Sequence, residues 1–231
     1  TQPTTPGQTV AKDVKNWRMG TFAPAGDSRY TLNLQYFTEL VKEVTQGEIN
    51  IQTFPGGAIV PNSELPAAVS DGALEVVHTV GTFWGARMPV GIVEYWMPMA
   101  YQSMKDTWNV MWDRGLQDLL RRAYAEHNAY LLCFELGTGS YLMTKDPINS
   151  LDDLRGMKLR ATGTIGQLFT KLGASTVDIP MGEIYMALRL GTIDGAVLGY
   201  EQHHALKHQE ICKYIMNVPL TAGDPLDIVV N

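Results

Sequence analysis

The chain has 231 residues, of which 45% are hydrophobic and 18% are charged, and its formal net charge at pH 7 is −6. This length and composition suit one large globular domain or two small ones with a sizeable core. Acidic and basic residues are spread along the sequence, whereas nucleic-acid-binding proteins concentrate positive charge in a patch. No apolar run is long enough to cross a bilayer.

Residues 1–15 are predicted to be a flexible lead-in, because their first part, TQPTTPGQT, is rich in Thr and Pro. Such a start is typical of a mature exported protein whose signal peptide has been removed. The two cysteines, Cys133 and Cys212, lie in apolar surroundings. They are predicted to be buried free thiols, since two cysteines do not make a disulfide framework.

The first half of the chain alternates predicted strands and helices. Residues 16–22, 49–54 and 76–80 have strand patterns, and an apolar stripe that starts near Leu34 predicts a helix ended by Gly47. This alternation predicts an α/β lobe I over residues 16–129. Its last part contains a loop-rich wall at 82–101 and one long helix over 108–128.

A second lobe is predicted over residues 130–213. The apolar run 130–136 predicts its first strand, and Ser150 with Asp153 has the spacing of a capping box. Strands at 157–161, 175–179 and 193–198 alternate with helices, which predicts a mainly parallel sheet. Ligands of such sheets bind beyond the carboxyl ends of the strands, and Arg160 lies at one of those ends.

Residues 147–163 (PINSLDDLRGMKLRATG) and 172–196 (LGASTVDIPMGEIYMALRLGTIDGA) resemble the second lobe of TRAP-transporter substrate-binding proteins, the DctP family. The resemblance extends to FTELVKEVTQGEINIQTFPGGAIV in the first lobe and covers most of the chain. It implies a bilobal fold of the type II periplasmic-binding-protein kind, with a ligand cleft between two α/β lobes. Residues 214–231 are then expected to return toward lobe I, and a C-terminal portion that family members carry is expected to be missing.

The same resemblance implies a function in transport. It indicates a periplasmic receptor that binds a small organic acid (a monocarboxylate, keto or hydroxy acid) and passes it to membrane permease subunits. No catalysis, cofactor, metal or nucleic-acid partner is expected. Two alternatives are a ligand-sensing domain of a signalling protein and an enzyme on a bilobal scaffold, although no nucleophile motif or cofactor loop supports the enzyme.

Arg160 is the main candidate binding residue, because a guanidinium offers a planar fork of donors that matches a carboxylate. In the resembled family, the arginine at this motif position holds the carboxylate of the substrate. The alternative is an ordinary ion pair with a surface acid such as Asp178.

Further candidates follow the ends of other predicted strands. They are aromatic wall residues, hydroxyl donors and the end of the last lobe II strand: Phe83, Trp84, Thr138, Ser140, Leu198, Gly199 and Tyr200. Aromatics also fill cores, and hydroxyls also stabilise turns, so these structural roles remain alternatives. The pair Val197-Leu198 replaces the acidic-plus-Trp pair of some members, which weakens any cation-assisted mode of binding.

Three histidines, His203, His204 and His208, cluster near the predicted helix after Gly199. His204 and His208 are four residues apart, a spacing that suits metal ligands on one helical face. No third ligand stands at a matching position. We therefore predict a solvated helix face and no metal.

Overall fold

Strands that alternate with helices build two separate five-stranded sheets. The computed structural model describes residues 13–95, 97–101 and 103–231, so most of the predicted lead-in lies outside the described residues. The strands are β1 (Lys15–Thr21), β2 (Ile49–Phe54), β3 (Val76–Thr79), β4 (Tyr130–Leu136), β5 (Ser140–Thr144), β6 (Lys158–Arg160), β7 (Ser175–Val177), β8 (Gly195–Gly199), β9 (Tyr214–Ile215) and β10 (Pro225–Val230). The α-helices are α1 (Leu34–Val44), α2 (Leu65–Ser70), α3 (Gly81–Trp84), α4 (Val90–Glu94), α5 (Met104–Trp108), α6 (Leu116–Ala125), α7 (Gly163–Lys171), α8 (Ile184–Leu190) and α9 (Tyr200–Ala205).

The two sheets have the same internal arrangement. The strand order is β2-β1-β3-β10-β4 in the first sheet and β7-β6-β8-β5-β9 in the second. In each sheet three parallel strands are followed by antiparallel pairings. Parallel strands joined through helices confirm the predicted α/β class, and the carboxyl ends of those strands are where ligands bind in such folds.

The chain crosses between the sheets twice, at residues 137–139 and again at 216–224. Strand β4 pairs with β10 in the first sheet, so the change of sheet follows Leu136 and not Tyr130, where we expected the second lobe to begin. Strand β9 pairs with β5, so the second sheet also extends past residue 213. An apolar run identifies a strand, but its partner is chosen by residues far away in the sequence, here about 95 positions later.

The long helix predicted over 108–128 is broken into α5, a π-helical turn at Asn109–Asp113, and α6. Gly115 separates the pieces and has a φ of 78°, a left-handed conformation that glycine adopts without strain. The capping box of Ser150 and Asp153 is confirmed, because each side chain bonds the backbone of the other.

Both cysteines are free, as predicted. Cys212 is buried and Cys133 is half-buried, and burial raises the pKa of each thiol to about 11. Within the described residues, every helix is too short or too polar to cross a membrane.

Two acidic side chains are enclosed together in the first lobe. Glu94, at the end of α4, and Asp227, on β10, are both fully buried, and the Tyr124 hydroxyl donates to Asp227 Oδ2 over 2.5 Å. Burial raises the pKa of both carboxyl groups, and the charge of Asp227 raises the pKa of Glu94 further. Hydrogen bonds with Glu94 and Tyr124 lower the pKa of Asp227 but only partly offset the effect of its burial. The folded protein therefore keeps a proton that the unfolded chain releases above about pH 4.

We predict that Asp227→Asn becomes progressively more stable relative to the wild type as the pH rises. An acid whose pKa is raised by folding stabilises the fold at low pH, and that contribution is lost as the pH rises through the folded-state pKa. Each unit of pKa elevation corresponds to about 1.4 kcal/mol of unfolding free energy. Urea unfolding of both proteins at pH 5, 6.5 and 8 measures the difference.

The control for this comparison is Asp118→Asn, which removes an exposed carboxylate on α6. Its stability difference from the wild type should stay constant over the same pH range. A constant difference for Asp227→Asn as well would contradict the buried, protonated pair.

Candidate functional site

A cavity of about 400 Å³ lies between the two sheets. Its lining comes from the residues that follow the carboxyl ends of parallel strands in both lobes. Phe22 follows β1, Phe83 follows β3, Thr162 follows β6 and Asp178 follows β7. The position agrees with the rule for open α/β sheets, so this cavity is the candidate ligand site.

Arg160 lines the cavity from the second lobe and is only 7% exposed. Its Nε donates to Ile179 O over 3.1 Å and its Nη1 donates to Val197 O over 3.3 Å. Burial lowers the pKa of the guanidinium, and the negative charge of Asp178 opposes that shift. No carboxylate among the described residues lies within ion-pair distance of Arg160, so the predicted alternative of an ordinary pair with Asp178 is not observed.

A second arginine, Arg29, lines the cavity from the first lobe and was missed by the sequence analysis. Its Nε and Nη2 bond the carboxylate of Asp27 over 2.9 and 2.5 Å, and the guanidinium carbon lies 4.9 Å from the ring centre of Phe22. Burial lowers the pKa of Arg29, but the bond and charge of Asp27 outweigh it and leave that pKa raised. Its Nη2 also approaches Met181 Sδ of the second lobe at 3.4 Å.

Of the two aromatic residues predicted to form the cavity wall, Phe83 and Trp84, only Phe83 lines the cavity. Phe83 lines the cavity and meets Phe22 edge to face, with ring centres 6.3 Å apart. Trp84 is fully buried in the core of the first lobe and packs edge-on against Tyr124 at 4.6 Å. Consecutive residues of helix α3 point about 100° apart, and this rotation turns Phe83 toward the cavity and Trp84 into the core.

Thr138 and Ser140 line the cavity where the chain crosses between the lobes. Ser140 Oγ donates to Asp224 Oδ2 over 2.8 Å, and Gly137 N donates to Asp224 O over 2.8 Å. These bonds tie the outgoing crossover to the returning one. We call residues 137–140 together with 220–224 the hinge, and Asp224 is one of the cavity residues that the sequence analysis missed.

The end of strand β8 meets the prediction only in part. Leu198 and Gly199 line the cavity, whereas Tyr200 is 62% exposed and packs edge-on against Tyr141. The next residues, Glu201 and Gln202, line the cavity in its place. Glu201 Oε2 accepts a hydrogen bond from Thr138 Oγ1. This bond connects helix α9 with the hinge at the wall of the cavity.

The predicted solvated histidine face is wrong for two of its three members. His203 and His208 are buried, with their Nδ1 atoms 3.1 Å apart, while His204 is exposed. Burial lowers the pKa of both imidazoles, and with the nearby positive charge of Arg160 the value falls to about 4. In the described part of the chain, no three His, Cys, Asp or Glu side chains gather as metal ligands would.

The hinge gives a prediction about backbone packing. A Cβ at Gly139 would lie 2.4 Å from the carbonyl oxygen of Thr221, closer than atoms of these types approach. We expect Gly139→Ala to lower the free energy of unfolding by about 1–3 kcal/mol, since the two crossovers must separate. Gly26→Ala is the matched control, because its added methyl group meets nothing within 4 Å. Equal stability of the two variants in urea unfolding would show that the crossovers are not packed this tightly.

Comparison with known proteins gives one family. Residues 19–231 match the family model of DctP, bacterial extracellular solute-binding protein, family 7. The chain is 29% identical over 221 residues to the monocarboxylate 2-oxoacid-binding periplasmic protein all3028 of Nostoc sp. (strain PCC 7120), covering 93% of this chain and 59% of that protein. The chain therefore spans less than two thirds of the length of this relative.

Solved structures share the fold at low sequence identity. A TRAP periplasmic solute-binding protein from Chromohalobacter salexigens, with bound (S)-(+)-2-amino-1-propanol, has a TM-score of 0.87 at 20% identity and covers 95% of this chain and 68% of its own. One from Pseudoalteromonas atlantica, with bound sodium and pyruvate, has a TM-score of 0.85 at 20% identity, covering 94% and 67%. These likenesses confirm the predicted bilobal periplasmic-binding fold.

Proposed function

The chain belongs to the DctP family of bacterial extracellular solute-binding proteins, a family of receptors and not of enzymes, and on that premise we propose that it is the extracytoplasmic receptor of a TRAP-type importer. Its ligand is a small organic acid that binds in the cavity between the lobes. The receptor works in the periplasm, where relatives such as all3028 are placed by name, and delivers its ligand to membrane permease subunits.

The observation that supports this proposal is the state of Arg160. A guanidinium that is 7% exposed has lost most of its hydration, and no carboxylate among the described residues forms an ion pair with it, although the charge of Asp178 offsets part of the loss. Such a group costs several kcal/mol to bury. A ligand carboxylate would supply a negative charge beside the guanidinium. It would also accept hydrogen bonds from the guanidinium N–H groups that do not donate to Ile179 O or Val197 O.

Binding and closure of the lobes are coupled in this proposal. The lining comes from both lobes, and the hinge connects them through two short crossovers. Contacts such as that between Arg29 and Met181 cross from one lobe to the other. A ligand held from both sides favours the closed arrangement, which excludes water and strengthens the ion pair with Arg160.

The direct test is isothermal titration calorimetry with pyruvate, L-lactate and L-pyroglutamate on the wild type, Arg160→Ala and Arg160→Lys. An acid that binds the wild type should bind Arg160→Ala about 10- to 100-fold more weakly, because a charge-assisted hydrogen bond is lost. Arg160→Lys should be intermediate, since it keeps the charge but loses the planar fork.

Arg155→Ala is the matched control, because Arg155 is an exposed arginine of the same lobe that pairs with Asp152. It should bind with wild-type affinity. Thermal unfolding of each variant identifies any that fail to fold. A folded Arg160→Ala protein with wild-type affinity for the same acid would remove Arg160 from the binding site and leave the proposal without its mechanism.

A further inference from the structure

We propose that Gly163 sets how far the two lobes close, because a residue without a side chain lets Thr82 of the first lobe reach the start of helix α7. A side chain at position 163 would then hold the lobes apart and weaken ligand binding. The consequence for binding rests on the proposed function, whereas the effect on closure can be measured without a ligand.

Residues outside the hinge also bring the two lobes into contact. Arg29 Nη2, from the segment after β1, lies 3.4 Å from Met181 Sδ, which follows β7 of the second sheet. The same two segments meet again at Gly182, where an added Cβ would lie 3.9 Å from Pro24 Cβ. The structure therefore shows the lobes in a closed arrangement.

A further contact between the lobes, that of Thr82 with Gly163, leaves less room than the one at Gly182. A Cβ at Gly163 would lie 3.3 Å from Thr82 Cγ2 and 3.9 Å from Thr82 Cβ. The shorter distance is below the separation of about 3.5–4.0 Å at which two carbon atoms attract each other best. A methyl group at Gly163 would therefore push against the first lobe, whereas one at Gly182 would make an ordinary contact.

The backbone at Gly163 gives a second reason for glycine, which a test has to separate from the first. Its φ is 55°, in the left-handed region that glycine adopts without strain. Asparagine tolerates this region better than most residues that carry a side chain. Gly191, at the end of α8, has a φ of 74°, and a Cβ there would meet nothing within 4 Å. Gly191 thus shares the backbone conformation without the contact.

The contact between Thr82 and Gly163 lies beside the candidate ligand site. Thr82 lines the cavity from the first lobe and Thr162, the neighbour of Gly163, lines it from the second. Gly163 follows Arg160 by three residues, so their Cα atoms are at most about 11 Å apart. The contact therefore joins the two walls of the cavity near the guanidinium. A gap at this place would admit water, which weakens an ion pair between Arg160 and a ligand carboxylate.

A disulfide introduced between the lobes measures closure directly. The 3.9 Å between the Cβ positions of Pro24 and Gly182 suits a disulfide, whose Cβ atoms are about 3.5–4.5 Å apart. Pro24→Cys and Gly182→Cys are combined in one reporter protein, in which Cys133→Ser and Cys212→Ala remove the two free thiols. The ratio of its disulfide form to its dithiol form in a glutathione buffer then measures how readily the ligand-free lobes close.

In the reporter protein, Gly163→Asn should lower the ratio of disulfide to dithiol at least about fivefold, because the new side chain must push Thr82 away. Gly163→Ala should lower it by a smaller factor, and it keeps the test available if Gly163→Asn does not fold. Gly191→Asn is the matched control, since it places the same side chain at a left-handed glycine in open space. It should leave the ratio unchanged.

Thr82→Ala tests the contact itself, because it removes Cγ2 and leaves only the Cβ, which is 3.9 Å away. In this background the effect of Gly163→Asn on the ratio should shrink at least about threefold, since residues in contact are energetically coupled. Titration calorimetry with pyruvate, L-lactate and L-pyroglutamate then tests the consequence for binding. An acid that binds the wild type should bind Gly163→Asn more weakly and Gly191→Asn equally well.

Equal ratios of disulfide to dithiol in folded Gly163→Asn and Gly191→Asn would overturn the role of Gly163 in closure. An effect of Gly163→Asn that Thr82→Ala leaves unchanged would overturn it too, and so would a reporter protein that forms no disulfide between its lobes. The proposed function fails separately. If the ratios change as expected but none of the three acids binds the folded wild type, the closure contact is supported and the organic-acid receptor is not.

Discussion

A guanidinium that leaves water without gaining an ion-pair partner is costly to bury. Arg160 is such a group, because carbonyl oxygens of Ile179 and Val197 fix its orientation but carry no full charge. These carbonyls come from the segment after β7 and from β8, the two strands next to β6. The position of the arginine thus depends on the parallel core of the second sheet.

The two sheets contribute in matching ways. Each presents the carboxyl ends of three parallel strands to the cavity, and each adds an arginine, but only the arginine of the first lobe is matched by a carboxylate. Arg29 therefore shapes the wall, whereas Arg160 offers charge. The hinge completes the enclosure, because its own polar groups, Ser140 and Asp224, bond to each other and face the cavity at once.

Much of this arrangement could be predicted from the sequence. Helix and strand periods predicted the alternating elements, and the motif around Arg160 placed that residue at a strand end. Phe83 and Trp84 show where such reasoning stops: both follow the same strand, and only the rotation of helix α3 decides which one reaches the cavity. Arg29 carried no motif, since its role depends on contacts with Phe22 and with Met181, which is 152 residues away.

Pairing of distant segments explains the remaining differences. Strand β4 is apolar enough for either lobe, and its place is decided by β10, which returns from the second lobe. His203 and His208 were predicted on a solvated face, but α9 places His203 under β5, where its Nε2 lies 3.2 Å from Tyr141 O. His208, in the short turn after α9, is buried beside it. Burial of this kind depends on which sheet edge a helix covers, and local polarity does not indicate it.

The buried histidine pair has a consequence for the charge around Arg160. Imidazoles with a pKa of about 4 stay neutral in mildly acidic as well as neutral surroundings. The electric field that they impose on the neighbouring guanidinium is then constant while the acidity of the medium fluctuates. Over that range of pH, the two imidazoles add no positive charge beside Arg160.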